Sequence, residues 1–246
     1  MTAIFSLLKW QDLSNQNTPS EEKRKRNMPA TTLSARAFFF DLDGTIVDSR
    51  RAYIQAARTA FQAMGHEPPA KETALEIPRR LELKQSINSI VKCDTRKFLE
   101  HYLNTYQAIS REKTELIPNI RTTLENLSKK AKLALITMRC TPNHAMMSEL
   151  EYLGIVQYFV HVTTAFDTHE PKPSPEALTK TSKAIGVHIS DCLMVGDSVS
   201  DIRAGKAAGT KTVAVLSGLF SYEELAKEHP DLILKNATFL TRHFEQ

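Results

Sequence analysis

The segment Phe38-Phe39-Phe40-Asp41-Leu42-Asp43-Gly44-Thr45 constrains this chain more than any other. An apolar run stops abruptly at two carboxylates one residue apart, and a glycine and a threonine follow. A short, wholly apolar run entering a glycine turn reads as a strand buried on both faces, the pattern of a parallel sheet. Ligands of open parallel sheets bind beyond the carboxyl ends of the strands, so Asp41 and Asp43 are expected where chemistry is usually done. Like charges this close are costly to bury unless a cation or a proton offsets them, which points to a metal. On its own, Asp-x-Asp-Gly-Thr would also suit a plain strand-end turn, since Asp and Gly are common turn formers.

Three further segments follow in order, each tied to an apolar run. Leu133-Ala134-Leu135-Ile136 ends in the hydroxyl of Thr137. Lys172 stands between Pro171 and Pro173. Leu193-Met194-Val195-Gly196 ends in Asp197, with Asp201 four residues on. Taken singly, Lys172 reads as a solvated loop lysine, Thr137 as a strand cap and Asp201 as an acid favoured by a helix N-terminus. Their joint occurrence is what carries the catalytic reading.

Together the four segments resemble the haloacid dehalogenase-like (HAD) hydrolase superfamily, and within it the phosphoglycolate phosphatase-like group, over about residues 36 to 246. The resemblance implies a phosphatase in which Asp41 is the nucleophile and Asp43 the general acid/base. It also implies a helical cap that closes over the site, excludes water and selects substrate. Phosphoglycolate is the first substrate it suggests. Two positions depart from the common pattern: Met138-Arg139 follow Thr137 where a small or amide residue is frequent, and Pro171 stands before Lys172 where glycine is often found. The proline stiffens that loop and removes a donor.

The chemistry also follows from the residue types. Mg²⁺ prefers oxygen ligands and binds through a few carboxylates plus substrate phosphate, so Asp41 and Asp197 are expected metal ligands, with the Asp43 main-chain carbonyl as a third. Attack by the Asp41 carboxylate on phosphorus would give an aspartyl-phosphate and split one hard displacement into two easier ones. Asp43 would give a proton to the leaving oxygen and later take one from water. Lys172 and Thr137, with main-chain N–H groups near Leu42 and Met138, are expected to hold the phosphoryl oxygens. Asp201 is expected to orient Lys172 or a metal-bound water. A phosphoryl transferase such as a sugar-phosphate mutase would use the same core, and a non-catalytic phosphate-binding module would keep the fold; for the latter, no nucleophile or metal carboxylate is missing.

From Ser34 onward, apolar runs alternate with helix-period segments, which predicts an α/β fold: a Rossmann-like, doubly wound parallel sheet. Residues 34–49 and 117–246 form the expected core. Residues 50–116 are too long for a βα loop and read as a small helical cap domain inserted after the first strand. Tyr53, Ala56, Ala60, Phe61 and Met64 share one helical period, and Phe98, Tyr102, Tyr106 and Ile109 another. Within the cap, Pro78 is expected to open a helix. Arg79 and Arg80 then either face the site, binding a carboxylate or second phosphate of the substrate, or face solvent. His66, His101 and His144 are isolated and read as structural or surface residues.

Residues 1–33 read as a flexible extension. They hold a short apolar patch (Ile4, Phe5, Leu7, Leu8, Trp10) and the basic run Lys23-Arg24-Lys25-Arg26, with Met28 an alternative start. The patch is too short and wrongly flanked for a secretory signal. The three cysteines, Cys93, Cys140 and Cys192, lack ligand-like spacing and suit a reducing, cytoplasmic setting. A net charge of +4 favours small anionic substrates such as phosphorylated metabolites without arguing for nucleic acid, and no stretch is long enough to span a bilayer.

Overall fold

Phe38, Phe39 and Phe40 offer water no polar face, and the strand they form is buried throughout. The computed structural model describes residues 34–244 and places β1 (Ala37–Phe40) inside a six-stranded parallel sheet. The chain then makes a short strand β2 (Val47–Asp48) and four helices: α1 (Arg50–Ala63), α2 (Lys71–Glu82), the single turn α3 (Asn88–Val91) and α4 (Thr95–Lys113). It returns through β3 (Glu115–Leu116), which pairs antiparallel with β2. The remainder alternates as α5 (Ile120–Ser128), β4 (Lys132–Ile136), α6 (Asn143–Tyr152), β5 (His161–Thr163) and α7 (Glu176–Ile185). It ends as β6 (Cys192–Gly196), α8 (Val199–Ala208), β7 (Lys211–Val215), α9 (Tyr222–Ala226) and β8 (Leu232–Leu234).

The sheet order is β5-β4-β1-β6-β7-β8. The chain therefore winds outward from β1 in one direction, crosses back, and builds the other half from β6. This is the doubly wound α/β topology expected. Its direction reverses between β1 and β6, and the crevice beyond their carboxyl ends is where such sheets bind ligands. Residues of β1 alternate between faces. Phe39 packs with Leu178 and Ile185 of α7 and Ala204 of α8. Phe38 meets Phe244 edge-on at 4.7 Å.

The helices between β2 and β3 carry an apolar cluster of their own. Ala56, Ala60 and Phe61 of α1 meet Ile77 of α2 and Phe98 and Tyr102 of α4. Pro78 lies inside α2 instead of opening it, because buried Ala74 and Ile77 tie the preceding turns into this cluster. Strand β5 begins only at His161, since residues 156–158 turn as a 3₁₀ helix. Helix α7 begins directly after Pro175. Pro175 occupies the cap position, and the Ser174 hydroxyl accepts the Glu176 N–H at 3.3 Å. The apolar patch and basic run of residues 1–33 lie outside the described residues. Among the described residues no helix is long and apolar enough to cross a membrane.

Candidate active site

The Asp41 N–H donates to the Val195 carbonyl at 2.9 Å, so pairing with β6 continues one residue past β1 and fixes where that carboxylate emerges. The chain then folds tightly, with the Leu42 carbonyl accepting from both Ile46 (2.9 Å) and Val47 (3.0 Å). Gly44 sits in this turn at φ +84°, the left-handed region that favours glycine. A Cβ on Gly44 or on Gly218 would collide with the Asp197 carboxylate, so these two positions make room for it. The Thr45 hydroxyl donates to Asp197 Oδ1 at 3.1 Å.

Lys172 is buried to 2% exposure, and all three of its protons are used. Nζ donates to Asp41 Oδ1 at 2.7 Å, to Asp201 Oδ1 at 2.5 Å and to the Ile136 carbonyl at 3.2 Å. Asp201 is fixed in turn by the capping box of α8, where its other oxygen accepts the Ser198 N–H at 3.1 Å and hydroxyl at 2.7 Å. Thr137 extends β4 by donating its N–H to Thr163 at 3.0 Å, and its hydroxyl accepts the Arg139 N–H at 3.1 Å. Asp41, Asp43, Thr137, Met138, Lys172, Asp197 and Asp201 thus all lie in the loops and helix starts beyond the strands' carboxyl ends.

Residues 38–215 match the sequence profile described as haloacid dehalogenase-like hydrolase. The chain belongs to the haloacid dehalogenase-like hydrolases. It is 32% identical over 209 residues to a phosphoglycolate phosphatase of Pseudomonas fluorescens (strain Pf0-1), covering 81% of this chain and 76% of that one. It is 32% identical over 216 residues to the pyrophosphatase PpaX of Bacillus velezensis, covering 83% of this chain and 94% of that one. In structure it resembles a haloacid dehalogenase-like family hydrolase from Streptococcus pneumoniae, with a TM-score of 0.73 at 21% identity, over 89% of this chain and 100% of that one.

The electrostatics of this HAD hydrolase separate its carboxylates. Burial pushes Asp41 well above the usual carboxylate range; Lys172 opposes the rise, while Asp201 and Asp43 add to it. Asp197 is raised by burial first, then by Asp41, Glu82 and Asp201, with only the Thr45 hydroxyl opposing. Asp43 moves the other way. Burial alone would raise it, but Arg139 and hydrogen bonds from Arg139, Ser49 and Tyr106 together hold it below its ordinary value.

Oxygens of Asp41, Asp197 and Asp201 lie within 4.8 Å of one another. Lys172 offsets Asp41 and Asp201, which leaves Asp197 with a neutral hydroxyl as its partner. A cluster of hard oxygen donors with excess negative charge suits Mg²⁺. The sign of this excess is testable. Because the folded-state value of Asp197 is raised, its ionised form costs stability once pH exceeds the ordinary carboxylate value. The cost is complete above the raised value. Asp197→Asn should therefore stabilise the metal-free protein at neutral pH by about 1–3 kcal/mol, and much less near pH 4. Thermal melts in EDTA would read this, and a lower Tm for the variant at pH 7 would contradict it.

Four groups at the site escaped the sequence reading. Arg139, 7% exposed, forks onto Asp43, with Nε to Oδ2 at 2.7 Å and Nη2 to Oδ1 at 2.6 Å, and its Nη1 meets Glu149 at 2.5 Å. Tyr106 of α4 donates to Asp43 Oδ1 at 2.9 Å, and the Ser49 hydroxyl also donates to that oxygen. Glu82, at the end of α2, accepts from the Ser200 hydroxyl at 2.6 Å and so joins the helical insertion to the start of α8. Arg139 stood in the sequence two residues after Thr137, a position that signals a charge at the strand end. Arg139→Lys keeps the charge but loses the planar fork, and should cost about 1–2 kcal/mol in denaturant unfolding. An unchanged midpoint would mean the fork adds nothing over a point charge.

Arg79 and Arg80, left open between site and solvent, are both engaged with protein partners. Arg79 binds Glu76 at 3.0 Å, pairs with Glu224 and lies 5.3 Å over the Phe220 ring. Arg80 binds Glu76 at 3.0 Å and the Ser89 hydroxyl at 2.9 Å. Their charged and hydroxyl partners lie within three to nine residues or on α9. Neither lines the cavity of about 230 Å³ that opens onto Asp41, Asp43 and Asp197.

Proposed function

We propose that this chain is a Mg²⁺-dependent phosphatase that hydrolyses a phosphomonoester of a small metabolite through a phosphorylated Asp41. The observation that carries the reading is Asp41 itself: a buried carboxylate at the floor of the cavity, held by Lys172 and facing Asp197 and Asp43. The phosphatase names of the relatives support it.

In the first half-reaction an Asp41 oxygen bonds to phosphorus while the ester P–O bond breaks, and Asp43 gives its proton to the departing alcohol. In the second, water attacks the same phosphorus, loses a proton to Asp43 and displaces the Asp41 oxygen, which frees inorganic phosphate. Asp43 as held by Arg139, Ser49 and Tyr106 is a carboxylate, the form the second half needs. For the first half it has to leave that fork and carry a proton. Lys172 fixes the Asp41 rotamer and spreads positive charge toward the transferring oxygens. Asp41 and Asp197, with the Asp43 main-chain carbonyl, would hold Mg²⁺, which when bound offsets the charge of the cluster and of the phosphoryl oxygens. Residues 50–116 act as a cap: Tyr106 and Glu82 reach the core from it, so its position and that of Asp43 are coupled.

The test is phosphate release from a panel of phosphorylated metabolites with Mg²⁺, beside EDTA and Asp41→Asn controls. Release that needs Mg²⁺ and is lost in Asp41→Asn is the expected result. No release from any single substrate by folded, Mg²⁺-loaded protein would overturn the hydrolase reading and favour transfer to a second substrate.

A further inference from the structure

The side of the cavity facing the strand ends is acidic, but the side that would surround the leaving group is not built for an anion. Tyr53, Leu81, Tyr102, Leu103, Tyr106 and Leu219 form most of it. The charged side chains there are Asp48, Arg50 and Glu82. Arg50 Nε is already bound to Asp48 at 2.8 Å and 3.1 Å. Glu82 therefore stands as an acid with no cation of its own on that wall, and burial with the nearby charge of Asp201 raises it above its ordinary value.

Every other base near the site is committed. Lys172 is taken by Asp41 and Asp201, Arg139 by Asp43 and Glu149, and Arg79 and Arg80 by Glu76. A second carboxylate or phosphate on the substrate would have to shed water beside Glu82 with no free partner, and an unpaired buried anion is strongly disfavoured. Flat apolar groups meet the opposite situation, since aromatic and aliphatic walls gain from covering them. Two of the tyrosine rings on this wall are also stacked on each other, Tyr53 on Tyr106 at 5.1 Å, with the Arg139 guanidinium 5.5 Å from the Tyr106 centroid. That leaves no aromatic box for a cation.

We infer that this phosphatase selects an uncharged, largely apolar leaving group, an aryl- or alkyl-bearing alcohol, against the carboxylate of phosphoglycolate and the second phosphate of pyrophosphate. The inference rests on the phosphomonoesterase reading above and names the substrate class of that same site. It separates this chain from the substrates for which its relatives are named. Tyr53, Leu81 and Leu103 are then specificity-determining residues, and the chemistry at Asp41 is unaffected by the choice.

The test compares kcat/KM with Mg²⁺ for benzyl phosphate, phosphoglycolate, pyrophosphate and phosphocholine. Benzyl phosphate presents an uncharged ring on an alkoxide leaving group, so its advantage would come from the wall. It should exceed phosphoglycolate by at least about tenfold, mainly through KM, as an apolar pocket against an unpaired anion requires. Leu103→Lys is a suitable second probe, because Leu103 lines the cavity yet is 53% exposed, so a lysine there keeps its ammonium in water. It should move the ratio toward phosphoglycolate by several-fold. Phosphoglycolate, pyrophosphate or phosphocholine matching benzyl phosphate would overturn the inference while leaving the phosphatase reading intact, as would a ratio unmoved by Leu103→Lys. Release from none of the four would overturn both.

Discussion

Asp41→Asn should lower phosphate release by about 10⁴-fold or more, because asparagine keeps the shape and loses the attacking charge. The fold should survive. Asp41 is buried among acids that push its proton affinity up, and Lys172 retains Asp201 at 2.5 Å when Asp41 is neutral. The variant's stability should therefore stay within about 1 kcal/mol of the parent. Phosphate release at saturating substrate and a thermal melt on the same sample read the two halves of this expectation. Activity within tenfold of the parent would remove Asp41 from the role of nucleophile. A collapsed melt would show that its carboxylate holds the core together.

Lys172→Met has the opposite balance. Methionine fills a similar volume but leaves Asp41 and Asp201 buried with no cation between them, and breaking a buried pair from one side costs about 3–5 kcal/mol. For a chain of this size that corresponds to a Tm lower by about 10 °C. The Lys172 ammonium is itself disfavoured by burial, but Asp201 and Asp41 outweigh that and raise its proton affinity. Its contribution is therefore present at neutral pH, and is lost only as pH rises through the raised folded value. In the variant the stranded acids can be neutralised instead, so the deficit should narrow as pH falls through their raised values. Melts of both proteins across pH 4 to 8 would show it as about half the difference or less at the acid end. A deficit that grows toward acid pH would mean that the loss is one of packing. Activity should fall with stability, since Asp41 loses the partner that aims it.

Both expectations concern residues legible in the sequence, and the reason is local. Asp41, Thr137 and Asp197 each follow directly on an apolar run, and a parallel strand fixes the direction in which the next side chain emerges. The alternation of such runs with helical periods carried the doubly wound sheet for the same reason. Lys172 was legible only through the resemblance, since a lysine between two prolines has no pattern of its own. Arg139 shows in the sequence only as part of the departure after Thr137, because the Asp43 it forks onto lies 96 residues away. Tyr106 shares its helical period with Phe98 and Tyr102, which by pattern makes it part of an apolar seam. Its ring does stack on Tyr53, but its hydroxyl reaches Asp43. Arg79 and Arg80 had no legible direction because Glu224, which pairs with Arg79, comes 145 residues later. Strands β2, β3 and β8 hold two or three residues each, too few to show a period, and exist through their partners. Local pattern thus located the carboxylates, and long-range pairing decided which of them is buried with excess charge and which is neutralised.

A covalent bond from phosphorus to Asp41 distinguishes this mechanism from direct attack by water. Single-turnover incubation with Mg²⁺ and a labelled phosphomonoester, quenched in acid within milliseconds and digested, would locate the phosphoryl group by peptide mapping. The prediction is a transient acid-stable, base-labile label on Asp41, absent in Asp41→Asn and decaying as inorganic phosphate appears. Phosphate release at the full rate with no label on Asp41 at any time would contradict it and require direct attack by water.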